Sequence, residues 1–200
     1  MGIWQLRRRY GPYAWSRTSQ AFYSTLSLMI RPGDSILEFG SSTGHISFRM
    51  AREGSNVTLL DIRPETISEA RAIFTKAGVA AQFIADDFLN HKHSYGLLWN
   101  SGLIQCLAAQ ERDTLLAHAA SLSGRLLLFY PDTDRSSKVR GADSAKTPGV
   151  EDALEYSVAD LPVIFGRYYD KVCWGRLPAR TLAVPFDMFW LHGENTCALD

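Results

Sequence analysis

Cysteine is scarce in this chain. Cys106, Cys173 and Cys197 are scattered and odd in number. They exclude a disulfide framework and point to a reducing compartment, so a cytoplasmic location is expected. No apolar run approaches the roughly 18 residues a membrane helix needs. The first residues hold no continuous apolar segment of the secretory kind. Net charge is also missing: 21 basic and 21 acidic residues cancel. No overall field draws the protein to nucleic acid or to an anionic membrane. Arg7-Arg8-Arg9 is a local exception that reads as a solvated face. Histidine is sparse too, and only His91 and His93 form a close pair. No Cys, Asp or Glu cluster at ligand spacing stands beside them, so the pair reads as a solvated loop and no metal site is expected. The chain shows no internal repeat.

What is present suits one domain over residues 1–200. Apolar residues make up 46% of the chain, enough for a full core. The stretch from Ser35 to Asp61 organises the rest. Ser35 to Phe39 reads as a buried strand and Gly40 to Gly44 as a small-residue turn. A helix then runs to about Glu53 and stops at Gly54, and a second apolar run closes on Asp61. This is the size of one strand–helix–strand unit. Gly40, Ser42 and Gly44 sit where a nucleotide-binding turn places small residues, so that the backbone approaches a ligand at a helix N-terminus. Asp61, 21 residues after Gly40, is placed to accept hydrogen bonds from ribose hydroxyls. Ser42 would be strained if its position needs a positive φ.

Further elements follow in order. Ser19 to Ile30 reads as a helix ending before Arg31-Pro32-Gly33. Pro64 opens a helix that Gly78 ends. Strands are expected at Ala81–Ala85 and Leu97–Trp99, after which Asn100-Ser101-Gly102 turns into a helix. Glu111–Leu122 reads as a helix and Arg125–Tyr130 as a fifth strand. Residues 132–150 are polar and turn-rich, a mobile loop expected to gate a substrate. A helix over Ser157–Phe165 and two aromatic strands, Tyr168–Leu177 and Leu182–Leu191, close the chain, with His192-Gly193-Glu194 ending the last strand.

Glu38-Phe-Gly-Ser-Ser-Thr-Gly44 resembles the first motif of class I S-adenosylmethionine (SAM) dependent methyltransferases, an acid followed by Gly-x-Gly-x-Gly. Leu97-Leu-Trp-Asn-Ser-Gly102 is similar to the family's fourth motif, with Gly96 in place of its usual Asp and Gln105-Cys106 in place of Glu-His. The resemblance covers residues 19 to 131 with ordered motifs. It implies an α/β fold, a three-layer α/β/α sandwich with a Rossmann-like, mostly parallel seven-stranded sheet and an antiparallel last strand. It implies SAM as cofactor and a small-molecule methyl acceptor. By the same resemblance Glu38 lies near the methionine ammonium, and Gly40, Ser41, Ser42 and Gly44 bend around the methionine. Asp61 and Ile62 serve the ribose and adenine. Asp86, Asp87 and Phe88 meet or flank the adenine, and Asn100 and Ser101 complete the pocket. Residues 1–30 correspond to a helical cap, with Tyr10-Gly-Pro-Tyr13 as a lid. Cys106 reads as a buried structural thiol, with a place lining the pocket as the alternative. His192 and Tyr13 are the candidate bases. Two alternatives stay open: a non-catalytic SAM-fold binding or scaffold protein, and a nucleotide-binding oxidoreductase, although the dinucleotide spacing Gly-x-Gly-x-x-Gly is absent.

Overall fold

The computed structural model describes residues 17–131, 160–177 and 188–196. Tyr13, most of the cap segment, the 132–150 loop and residues 182–187 lie outside the described residues. The elements are α1 (Arg17–Met29), β1 (Ser35–Phe39), α2 (His45–Arg52), β2 (Asn56–Asp61), α3 (Pro64–Lys76) and β3 (Gln82–Ala85). They continue with β4 (Leu97–Ser101), α4 (Ala109–Leu122), β5 (Arg125–Pro131), α5 (Asp160–Phe165), β6 (Lys171–Leu177) and β7 (Met188–Glu194). Among the described residues no helix is long and apolar enough to cross a membrane.

The strands form one seven-stranded sheet in the order β3-β2-β1-β4-β5-β7-β6. β7 runs antiparallel to both neighbours, and the β1–β5 pairs are parallel. This is the expected α/β sandwich with its antiparallel last strand. Parallel strands covered on both faces read as continuous apolar runs, and adjacent residues serve opposite layers. Ile36, Leu59, Trp99 and Leu127 join the core beneath α1, α2 and α3. Their neighbours Leu37, Leu60, Leu98 and Leu128 join the core beneath α4 and α5. Each such side chain, fully buried, contributes about 1.5–3 kcal/mol.

Several boundaries differ from the sequence reading, each for a tertiary reason. β4 continues past Trp99 because Asn100 and Ser101 pair with Leu128 and Phe129 of β5. The turn after it is a short 3-10 helix, Ile104–Cys106, and α4 starts only at Ala109, where Glu111 Oε2 accepts Ala108 N–H at 2.9 Å. Tyr168 and Tyr169 do not begin β6. Their N–H groups donate to Phe165 O, closing the end of α5. His192, Gly193 and Glu194 do not follow β7 but form its last rungs, opposite Leu127, Leu126 and Arg125.

The order of the sheet reverses between β1 and β4. Open α/β sheets bind ligands at the carboxyl ends of strands flanking such a switch point. The turns after β1, β2, β3 and β4 meet there.

Candidate functional site

The turn after β1 uses left-handed backbone at three alternate positions: Gly40 (φ 61°), Ser42 (φ 51°) and Gly44 (φ 63°). Ser42 is the one non-glycine with positive φ among the described residues. The strain foreseen for it is present, at about 1–2 kcal/mol. The structure also supplies its counterweight. Ser42 N–H donates to Asp61 Oδ2 at 2.9 Å, and a hydrogen bond to a charged group contributes about 1.5–3 kcal/mol. One further bond holds the turn against β2, Ser41 N–H to Leu60 O at 3.0 Å, and another closes the turn on itself, Gly44 N–H to Ser41 O at 2.9 Å.

Gly44 also answers a packing demand. A Cβ there would overlap Leu59 Cδ2, so only glycine lets the start of α2 press onto β2. A Cβ on Gly40 would lie 3.2 Å from Asn100 Nδ2 and 3.4 Å from Leu103 Cδ2. The turn therefore rests directly on the segment after β4.

Acids line the strand ends beneath and beside this turn. Glu38 is buried on β1, and its Oε2 would lie 3.8 Å from a Cβ on Gly44. Asp61 ends β2 and is buried. Burial alone would raise its pKa, but hydrogen bonds from Arg63 and from the Arg63 and Ser42 N–H groups outweigh it, so the carboxyl sits below its ordinary value. Asp61 pairs in register with Ala85, and Asp86 N–H donates to Asp61 O at 3.2 Å. The Asp86–Asp87 corner is thereby fastened beside Asp61. Asp86 Oδ1 accepts Asp87 N–H at 2.7 Å and Asn90 Nδ2 at 3.2 Å. Asp87 Oδ1 accepts Leu89 N–H at 3.0 Å, capping a short 3-10 helix. Ile62, just past Asp61, is 64% exposed, an apolar side chain left open at the rim.

Glu38, Gly40 to Gly44, Asp61, Ile62, Asp86 and Asp87 are thus gathered at one end of the sheet. Asn100 joins them as a bracket. It is buried, its Nδ2 donates to Phe39 O at 2.6 Å and its Oδ1 accepts Leu103 N–H at 2.9 Å. Ser101 is half-buried at the end of β4.

Four expectations need correction. The Phe88 ring does not face the turn. It is buried, stacked on Phe39 at 4.3 Å and set edge-on to His118, because the 3-10 turn points it into the α4 layer. His192 is remote from the turn. It pairs with Leu127, four residues short of the carboxyl end of β5, or about 13 Å along the strand. Burial, reinforced by Arg125 and Arg31 and opposed by Glu194, lowers its pKa, and those three groups lie toward the opposite end of the strands, where β5 begins. Cys106 is exposed, not buried. His91 is buried, with Nε2 3.1 Å from Tyr95 Oη, while His93 is exposed. Among the described residues no group of three or more His, Cys, Asp or Glu is arranged to hold a metal.

Sequence reasoning missed Arg63 and Leu103. Arg63 grips Asp61 with its guanidinium: Nε to Oδ1 at 3.0 Å and Nη2 to Oδ2 at 3.1 Å. Its place two residues past a strand-end acid was the available signal.

Residues 36–123 match the family model described as a methyltransferase domain, a span that runs from β1 through α4 and holds every residue of the cluster. The chain is 24% identical over 136 residues to an S-adenosyl-L-methionine-dependent Diels-Alderase, iliD, of Neonectria sp. (strain DH2), covering 64% of this chain and 52% of that protein. The chain thus spans about half the length of this curated relative. Among solved structures it resembles magnesium protoporphyrin IX methyltransferase of Synechocystis PCC 6803 with bound SAH, at TM-score 0.75 and 18% identity, over 96% of this chain and 92% of that one. It also resembles the N-methyltransferase NodS of Bradyrhizobium japonicum WM9, at TM-score 0.66 and 14% identity, over 89% and 96% of the two chains. At these identities the likeness is one of fold.

Proposed function

We propose that this chain, whose residues 36–123 carry a methyltransferase domain on a class I fold, transfers the methyl group of SAM to a small-molecule acceptor. The observation that carries the reading is the left-handed turn Gly40–Gly44 tied to Asp61 at the sheet's switch point. The donor set suits the cofactor. A buried Glu38 under the turn suits an ammonium, Asp61 suits a ribose diol, the exposed Ile62 suits a flat purine face, and Asp87 suits an exocyclic amino group.

SAM supplies a methyl on a sulfonium, a leaving group that needs no activation by the protein. What the residues then contribute is alignment and exclusion of water. The turn and α2 hold the methionine end, Asp61 and Asp87 hold the nucleoside end, and Asn100 braces the turn after β4 where an acceptor would approach. Gln105-Cys106 in place of the family's Glu-His favours an acceptor that is already nucleophilic at neutral pH. The magnesium protoporphyrin IX named for one of the similar structures supports a small-molecule acceptor. One sheet drawing strands from residues 35 to 194 supports a single domain. The Ser19 Oγ to His45 Nε2 contact at 3.1 Å, joining α1 to the start of α2, supports the cap reading. The exposed free thiols of Cys106 and Cys173 suit a cytoplasmic location.

Calorimetric titration with SAM, S-adenosylhomocysteine (SAH) and NAD tests the reading. SAM and SAH bind and NAD does not. Asp61→Ala weakens SAM binding by about 1–3 kcal/mol, the scale for leaving polar partners unmatched, while the melting curve stays cooperative. Absence of SAM and SAH binding would favour the non-catalytic scaffold reading.

A further inference from the structure

Asp61 has more donors than its strand-end position requires. A carboxylate offers about four lone-pair sites on its two oxygens, and four donors occupy them. Oδ2 accepts Ser42 N–H at 2.9 Å and Arg63 Nη2 at 3.1 Å. Oδ1 accepts Arg63 N–H at 3.1 Å and Arg63 Nε at 3.0 Å. Two of the four are backbone groups fixed by the fold: Ser42 in the turn, and Arg63 at the start of α3, where Pro64 opens the helix. The other two belong to one side chain. The Arg63 side chain is 52% exposed while that of Asp61 is 4% exposed, so the acid is held and the guanidinium is free to leave.

A ribose diol brings two hydroxyl donors to the same carboxylate. We infer that Arg63 is a built-in competitor for the nucleoside: its guanidinium fills the diol's place on Asp61 in the free protein and must be displaced when the ribose arrives. This rests on the cofactor reading above and adds a residue that sets its affinity. The fork of Nε and Nη2 matches the spacing of a carboxylate, keeping the acid ionised and aligned until the ligand replaces it. Displacement exchanges two charged donors for two neutral ones, so the free protein is favoured by the ion pair, and salt, which screens a half-exposed pair, shifts the balance toward the ligand.

The test compares the wild type with Arg63→Ala and Arg63→Lys, using SAH, adenosine and 2′,3′-dideoxyadenosine as calorimetric probes. Arg63→Ala is expected to bind SAH and adenosine about threefold to tenfold more tightly, the scale of one partly screened charge-assisted pair. Dideoxyadenosine, which has no diol, is expected to bind both proteins equally. Arg63→Lys, a point donor without the fork, is expected to fall between. Added potassium chloride is expected to tighten SAH binding to the wild type and not to Arg63→Ala. Equal or weaker SAH binding by a stably folded Arg63→Ala protein would overturn the inference. So would an equal gain for dideoxyadenosine, which would mean that the side chain obstructs by bulk. If the wild type does not bind SAH, the cofactor reading itself falls and this inference with it; wild-type binding with an unchanged variant removes only Arg63.

Discussion

Two aspartate–arginine pairs stand at opposite ends of the same sheet, and they are built in opposite ways. At the amino end, Asp34 and Arg125 are 91 residues apart in sequence, with Nη1 at 2.9 Å from Oδ2 and 3.1 Å from Oδ1. Both side chains are nearly buried, at 11% and 9% exposure. Arg125 also donates to Gly96 O at 3.3 Å and to Met29 O, and Asp34 Oδ2 accepts Arg31 N–H at 2.6 Å. The pair ties together the end of α1 and the starts of β1, β4 and β5. At the carboxyl end, Asp61 and Arg63 are two residues apart and only the acid is buried. A pair with both members buried holds elements together, because removing either strands a charge. A pair with one exposed member can give that member up to a ligand.

The same contrast explains Gly96. In the sequence it is a departure from the family's fourth motif, which has Asp there. The structure places it at the amino end, just before β4, where a Cβ would lie 2.5 Å from Asp34 Oδ1. The residue makes room for the buried pair and has no contact with the candidate cofactor site.

The largest expected effect breaks the amino-end pair. Arg125→Ala should cost about 3–5 kcal/mol of stability in urea unfolding, because Asp34 is left buried and unpaired, while SAH affinity of the folded protein stays as it was. A loss under about 1 kcal/mol would class the pair with ordinary surface contacts and end the comparison. Gly44→Ala comes next and examines how strictly the carboxyl end is built beneath its open rim. The left-handed backbone costs about 1–2 kcal/mol for any side chain, and the overlap with Leu59 adds about 1–3 kcal/mol, so a loss of about 2–5 kcal/mol is expected by the same unfolding assay. Measured against Leu59→Ala alone, which carries its own cavity cost, the Gly44→Ala penalty in that background should lose only its steric share. Full recovery would mean that backbone conformation plays no part. The smallest effect has the opposite sign. Ser42→Gly removes the strain at φ 51° while keeping the N–H that Asp61 accepts. After the glycine's entropy cost, stability should rise by about 0.5–1 kcal/mol, read as a higher melting temperature. A fall would show that the Ser42 side chain contributes contacts that outweigh its strain.

Legibility followed the range of the interactions. From Ser35 to Lys76 the elements stand almost where the sequence puts them, because each signal is local: an apolar run, a glycine that must stop a helix, Pro64 at a helix start. The condition attached to Ser42, strain if φ is positive, could be stated from the sequence and became a fact only with the backbone. The misread boundaries include those of β4 and β7, whose ends depend on pairing with β5 across many residues. Phe88 was misassigned because a short polar corner carries no periodicity to say which face its aromatic takes. His192 was misassigned because the direction and register of β7, not its place near the end of the chain, decide which end of the sheet it lies toward.

By itself the sequence determined the succession of strands and helices, the small-residue turn after β1 and the acids at the strand ends, because those follow from residue-by-residue preferences for burial, backbone angle and capping. Only the tertiary structure decided which partner each charge takes. Asp34 and Arg125 meet because the sheet brings β1 and β5 to opposite sides of β4. Arg63 sits on Asp61 because β2 ends where α3 begins. Burial then decides that the first pair is locked and the second is exchangeable, and burial is a property of the assembled layers that no local pattern contains.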